Sequence, residues 1–108
     1  MVNQNRLMPQ EYLTDNQVLD EMRVLVRRGK IRWTLHVEER MAERGFAREQ
    51  ITECLLLGFF IERPIDPNTG NELQYKFRIR GNIDGVVLEV VASLVPESRV
   101  VVITVFDA

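Results

Sequence analysis

The sequence has few of the residues that build disulfides and metal sites, with one cysteine and one histidine among 108 residues. A single cysteine cannot form an intramolecular disulfide, and together with one histidine it cannot supply a usual four-ligand zinc site. A glycine-rich phosphate-binding loop is also missing. We therefore expect no metal and no cofactor, and the low cysteine content is typical of the reducing cytoplasm.

Long hydrophobic runs are missing as well. The longest nearly apolar runs are Cys54–Ile61 and Val86–Val95. Both fall well short of the roughly 20 residues that a membrane-spanning helix needs. The beginning of the chain lacks the basic and then apolar layout of a signal peptide. The sequence thus predicts a protein with no membrane partner.

What is present fits one globular domain. A length of 108 residues and a hydrophobic fraction of 45% suit a single hydrophobic core. Residues 1–12 show no hydrophobic period and are predicted to be a flexible arm. A single domain is expected over residues 13–108.

The positive charge is unevenly distributed along the chain. A sequence pI of about 5.4 argues against a strongly basic nucleic-acid-binding protein. Residues 23–48, however, contain eight Lys or Arg against three Glu. Twelve of the fourteen basic residues are arginine, and its planar fork suits bidentate binding of phosphate or carboxylate better than lysine does.

Apolar spacing and helix end signals predict three helices in the first half of the chain. Thr14, Asp15 and Asn16 each offer an N-cap for the first helix, and Thr34 offers one for the second. Glycines follow the predicted last turns. With their caps and stops, the predicted helices cover residues 14–29, 34–45 and 48–57.

After Gly58 the pattern alternates between apolar and polar residues, which predicts strands. The four strands are expected at residues 59–63, 73–80, 86–95 and 100–106, with a loop at 66–71. Because the connections are short, neighbouring strands should be antiparallel. The predicted architecture is α+β, with two or three N-terminal helices on one face of a four-stranded antiparallel meander. The last two strands are apolar on both faces, so we also expect a homodimer contact.

The second predicted helix carries an unusual row of basic residues. His36, Arg40 and Arg44 follow each other at intervals of four and share one helix face, which borders the apolar stripe. A row of like charges beside the core needs an anionic partner, which is either a bound phosphate or a carboxylate of the protein. The candidate carboxylates are Glu43, Glu62 and Glu89.

The second predicted strand carries a further row of cations. Lys76, Arg78 and Arg80 alternate with apolar residues, so they share the face that the helices leave open. Such a row can follow a phosphate backbone. The alternative is an ordinary solvated strand face, where Lys and Arg also discourage edge pairing.

A motif on the second helix carries a family resemblance: Trp33-Thr34-x-His36-x-x-x-Arg40-Met41-x-x-Arg44-Gly45. Together with weaker strand motifs, it resembles the bacterial domain-of-unknown-function family 4258 over about residues 33–106. The resemblance implies the fold of RelE, barnase and related ribonucleases, in which helices back a four-stranded antiparallel sheet. It also implies an RNA-cleaving or RNA-binding ancestry and raises a cognate antitoxin as a partner. His36 and Arg40, followed by Arg44, match the family positions of most interest.

The resemblance and the basic rows together lead to the hypothesis of a metal-independent endoribonuclease. His36 would act as acid or base, and cations would stabilise the charge on the phosphate. The second proton carrier would be Glu62, Glu89 or Tyr75. The phosphate clamp would comprise Arg40, Arg44 and Arg78, with RNA also contacting Lys76 and Arg80.

The alternative hypothesis is a non-catalytic homodimeric module for protein interaction. In that case His36 is a structural residue at the edge of the core, and the open sheet face docks a second copy or another chain. The apolar character of both faces of the last two strands motivates this alternative.

Overall fold

The computed structural model describes residues 12–65 and 73–107. Three helices are present: α1 (Asp15–Arg27), α2 (Leu35–Arg44) and α3 (Arg48–Leu57). Five strands form one sheet: β1 (Ile31–Trp33), β2 (Phe59–Ile65), β3 (Tyr75–Ile83), β4 (Val86–Val95) and β5 (Arg99–Asp107). The whole predicted loop at 66–71 and nearly all of the predicted N-terminal arm lie outside the described residues.

The α+β class is confirmed, but the prediction of a four-stranded antiparallel sheet is wrong in one respect. The sheet has the order β1-β5-β4-β3-β2, and β2 to β5 form the expected antiparallel meander. The additional strand, β1, pairs in parallel with Val100–Val102. Only four residues lie between the helix stop at Gly29 and the Thr34 cap. They are too few to show a strand period, so the sequence pattern could not reveal β1.

Local end signals explain where the helices begin. Thr14 and Gln17 form a capping box at the start of α1, because each side chain accepts a hydrogen bond from the other residue's backbone N–H. Arg23 then joins α1 to the end of α3. Its Nε donates to the Leu55 carbonyl at 3.2 Å and its terminal nitrogen donates to the Gly58 carbonyl at 2.7 Å.

A two-residue turn sets the register between β3 and β4. Asp84 and Gly85 have φ values of 54° and 86°, which are the positive values that a type I′ hairpin turn requires. Ile83 therefore pairs with Val86, and each earlier residue of β3 pairs with a later residue of β4. β4 has the predicted limits, whereas β2, β3 and β5 end later than predicted; β3 also begins two residues later and β5 one residue earlier. Pro64 lies inside β2. β2 is an edge strand, and because the N–H groups on its outer side have no neighbouring strand to bond, it tolerates a proline.

The hydrophobic core lies between the helices and one face of the sheet. α1 and α3 bury apolar residues against β3, β4 and β5, and α2 adds Val37 to the same cluster. Cys54 of α3 is fully buried there. Desolvation, followed by the charge of Glu89, raises the pKa of its thiol to about 11. Among the described residues, no helix is long and apolar enough to cross a membrane.

The junction between α3 and β2 requires a residue without a side chain. A Cβ added to Gly58 would lie 2.4 Å from the Arg80 carbonyl oxygen and 2.7 Å from the Cys54 carbonyl oxygen. Both atoms belong to the backbone, so neither can move away cheaply. We expect Gly58→Ala to lower the free energy of unfolding by about 2 kcal/mol or more, measured by urea denaturation.

Gly85→Asn is the control for this substitution. A Cβ at position 85 meets no atom within 4 Å, and asparagine tolerates the left-handed conformation of the turn. We expect a loss of less than about 1 kcal/mol. Equal losses for the two variants would contradict the steric explanation.

Candidate functional site

Thr34 places α2 beside the last part of β5. β1 ends at Trp33, and α2 follows as the neighbour of β5. The Thr34 hydroxyl donates to the Val102 carbonyl at 3.0 Å and accepts a hydrogen bond from the Val37 backbone N–H at 3.2 Å. The same side chain therefore caps the helix and attaches it to the sheet.

The basic row of α2 faces β5 along its length. Near the start of the helix, His36 Nε2 lies 3.2 Å from Thr104 Oγ1. At the end of the helix, Arg44 donates to the Asp107 carboxylate at 2.7 Å. This pair is about half exposed, so it contributes little to stability. Asp107 is thus the carboxylate that Arg44 contacts.

Arg40, the middle member of the row, contacts an aromatic ring. Its guanidinium carbon lies 5.6 Å from the centre of the Phe106 ring. The Arg40 Nε is buried from solvent and has no hydrogen-bond partner among the described residues. A buried guanidinium N–H without an acceptor is energetically unfavourable. This atom therefore marks a place where an anionic acceptor would be stabilising.

Arg78 and Arg80 of β3 surround a buried carboxylate on the sheet face opposite α1 and α3. Arg78 Nε donates to Glu89 Oε1 at 2.7 Å, and Arg80 Nε donates to Glu89 Oε2 at 2.9 Å. The terminal nitrogens of both guanidiniums add contacts of 2.6 Å and 2.5 Å. Glu89 is only 6% exposed, so both guanidiniums are held against it by charge-assisted hydrogen bonds.

The arginines keep Glu89 ionised. The hydrogen bond from Arg80 is the main cause that lowers the pKa of the Glu89 carboxyl, and Arg78 acts in the same direction. Burial alone would raise the pKa, but the hydrogen bonds and positive charges outweigh it. Glu89 is therefore a carboxylate at neutral pH and holds the positions of two cations.

Arg78 also links the sheet cluster to α2. Its guanidinium carbon lies 4.6 Å from the centre of the Phe106 ring that Arg40 contacts. Two guanidiniums thus contact the buried carboxylate, and the third, that of Arg40, shares the Phe106 ring with Arg78. Three positive charges against one carboxylate leave an excess of positive charge on this side of the sheet. We call this surface the basic face, made of His36, Arg40, Arg78, Arg80, Glu89 and Phe106.

The remaining predicted site residues have different positions. Lys76 lies on the same strand face as Arg78 and is exposed. Glu62 of β2 is 67% exposed, with an oxygen 3.8 Å from Arg78. Tyr75 faces the core, is 4% exposed, and its hydroxyl accepts a hydrogen bond from the Leu13 backbone N–H at 2.8 Å. Tyr75 is therefore separated from the basic face by the sheet.

The sequence predicted Glu89 as one of three proton carriers and as a possible carboxylate partner of the α2 row. Its contacts with Arg78 and Arg80 were not predicted, and Thr104 and Phe106 were missed. A signal for Glu89 was available. A two-residue turn at residues 84–85 pairs Arg80 with Glu89 directly, and a Glu inside an apolar strand needs a cation beside it. No comparable signal existed for Thr104 or Phe106, because they join the site through α2, which is distant in sequence.

We expect Glu89→Gln to lower the free energy of unfolding by about 1–3 kcal/mol at neutral pH, because two arginines lose their charged acceptor. Folding lowers the pKa of this carboxyl. Its stabilising effect is therefore complete above the pKa of the unfolded chain and is lost as the pH falls through the lower folded value. The free energies of unfolding of the wild type and Glu89→Gln should therefore converge at acidic pH. Urea denaturation of both proteins at acidic and neutral pH measures this convergence.

Glu62→Gln serves as the matched control for Glu89→Gln. It removes a carboxylate on the same side of the sheet, but that carboxylate is exposed and makes one long contact. A change below about 0.5 kcal/mol is expected. A pH-independent loss in Glu89→Gln would contradict a role based on charge.

Across residues 12–65 and 73–107, no group of three or more His, Cys, Asp or Glu side chains is placed to hold a metal ion.

Comparison with known proteins identifies the family. No curated protein and no solved structure matches the chain. A family model described as "Domain of unknown function (DUF4258)" matches residues 33–107, a span that includes α2, the basic face and nearly the whole sheet. The chain therefore belongs to the DUF4258 family, as the motif on α2 indicated.

Proposed function

We propose that the basic face binds the phosphate backbone of RNA. The observation that carries this proposal is the half-buried Arg40 guanidinium, which lies over the Phe106 ring and has no hydrogen-bond acceptor and no ion pair among the described residues. Arg40 and Arg78 contact the same Phe106 ring, so their guanidiniums border a common surface. A phosphate oxygen that accepts from the terminal N–H groups of Arg40 would give this cation an anionic partner and would interact favourably with both charges.

Glu89 supports this proposal by preorganising the cations. The Nε edges of Arg78 and Arg80 point at Glu89, and the two side chains have already lost much of their rotational freedom. Binding an anion to ordered guanidiniums costs less entropy than binding it to mobile ones. At 28% and 45% exposure, the two arginines remain accessible to a ligand.

RNA as the ligand also agrees with the kinship to RelE-like and barnase-like ribonucleases that the sequence motif implies. The face is local and modest in size, which suits a chain whose overall charge is slightly negative. In this proposal Lys76, on the same strand face, extends the cationic row. A cognate antitoxin and a homodimer stay predictions, and a molecular mass measured by light scattering tests the homodimer.

RNA cleavage also stays a prediction, and His36 is the first candidate for the residue that transfers a proton. In that reaction the 2′-oxygen forms a bond to phosphorus, a base takes the 2′ proton, and an acid protonates the 5′-oxygen as its bond breaks. Glu62 and Thr104 lie on strands separated by three intervals, roughly 14 Å. His36 lies beside Thr104, so His36 and Glu62 are poorly placed to flank one phosphate. Glu89 is closer to β5 but already accepts hydrogen bonds from two arginines.

We expect Arg40→Gln to weaken binding of a short single-stranded RNA. Loss of one phosphate contact should reduce the magnitude of the slope of log affinity against log salt by about 0.7. Fluorescence anisotropy over a series of salt concentrations measures both the affinity and the slope. Circular dichroism and thermal unfolding check that the variant is folded.

Arg28→Gln is the control for charge alone. Arg28 is an exposed residue at the end of α1, away from the basic face. Arg28→Gln should leave the affinity for RNA and the slope of log affinity against log salt nearly unchanged. An equal loss in both variants, or no RNA binding by the wild type at low salt, would refute the proposal.

His36→Ala tests cleavage separately from binding. If His36 transfers a proton, its removal should slow RNA turnover by about a hundredfold or more and change the affinity for RNA only slightly. Gel analysis of end-labelled RNA measures turnover. Equal turnover in the wild type and the variant would remove His36 from the mechanism, and intact RNA with both proteins would limit the function to binding.

A further inference from the structure

An exposed aromatic side chain lies beside the basic face. Phe59, the first residue of β2, is 59% exposed. In the sheet register it is directly opposite Arg80. Opposite residues of an antiparallel pair place their side chains on the same face, so Phe59 belongs to the face of Arg80 and Glu89. The next residue, Phe60, turns to the core, where its ring lies 5.4 Å from that of Phe77.

The backbone around Phe59 is firmly held. Gly58 is buried between Arg80 and Cys54 with no room for a Cβ, and its carbonyl accepts a hydrogen bond from Arg23. The ring is thus an exposed platform on a fixed base. Exposing a large aromatic ring beside an ordered guanidinium gives a ligand both a flat apolar surface and a positive charge.

We propose that the basic face takes single-stranded RNA, with one unpaired base stacked on Phe59 and its phosphate on Arg80. This inference rests on the proposed function and names the substrate class. Aromatic rings stack on bases of any identity, provided that the base is not already stacked inside a duplex. Arginine beside the ring supplies the phosphate contact that keeps the base in place.

Phe59→Ala should weaken binding of a short single-stranded RNA about fivefold to a hundredfold, the usual range for loss of one base–aromatic stack. Phe59→Leu should show a similar loss, because leucine keeps an apolar side chain but has no ring. Phe59→Tyr should restore binding nearly to the wild-type value. Thermal unfolding of all three variants shows whether each is folded.

Leu57→Ala is the matched control. Leu57 is 73% exposed, two residues away at the end of α3. Its removal deletes a similar amount of exposed apolar surface, and we expect the affinity for RNA to stay within about twofold.

An RNA-like strand without bases separates stacking from charge. On an abasic ribose-phosphate oligomer of equal length, the wild type and Phe59→Ala should bind equally, because only phosphate contacts remain. A blunt duplex of the same sequence should bind the wild type more weakly than the single strand does, and Phe59→Ala should not change that affinity.

The outcomes distinguish this inference from the proposed function. If Arg40→Gln weakens binding of single-stranded RNA but Phe59→Ala and Phe59→Leu do not, the stacking inference fails and the proposed function stands. Equal or tighter binding of the duplex by the wild type would also overturn the inference. No binding of any strand by the wild type would overturn both.

Discussion

The contact between the Glu89 carboxylate and two guanidiniums is the interaction on which the basic face depends. Glu89 is an ionised group inside a strand of apolar residues, so the fold tolerates it only if cations approach closely. Arg78 and Arg80 satisfy that need, and in doing so they become ordered at the surface. A requirement of stability therefore creates a preorganised cationic surface.

The second constraint is that β5 contacts different elements along its length. The first part of β5 pairs with β1, and its last part lies beside α2. Thr34 stands at this change, because it caps α2 and also donates to a β5 carbonyl. As a result, the basic row of α2 runs along β5 and meets the cations of β3 at Phe106. The family match begins at residue 33 and includes α2, β3 and β5, but only the last residue of β1. α1 lies outside the match, but it completes the core and, through Arg23, holds the junction before β2.

Much of the fold could be predicted because it depends on interactions between near neighbours. The limits of α3 agree with the prediction, and Thr34 caps α2 as expected. Of the three candidates for the cap of α1, Thr14 is the one that caps it. The alternation of β3 correctly separated its cations from its apolar residues. Even the contact between Arg80 and Glu89 follows from a two-residue turn, since a hairpin of known turn length has a determined register.

The amino-acid sequence by itself determined the helices, the meander and the existence of two basic rows, because periodicity and capping act over a few residues. Only the tertiary structure decided that β1 joins the sheet, that α2 lies along β5, and that both rows meet on one surface. Those contacts join residues more than 25 positions apart. They depend on how whole elements pack together, and no local pattern in the chain encodes that arrangement.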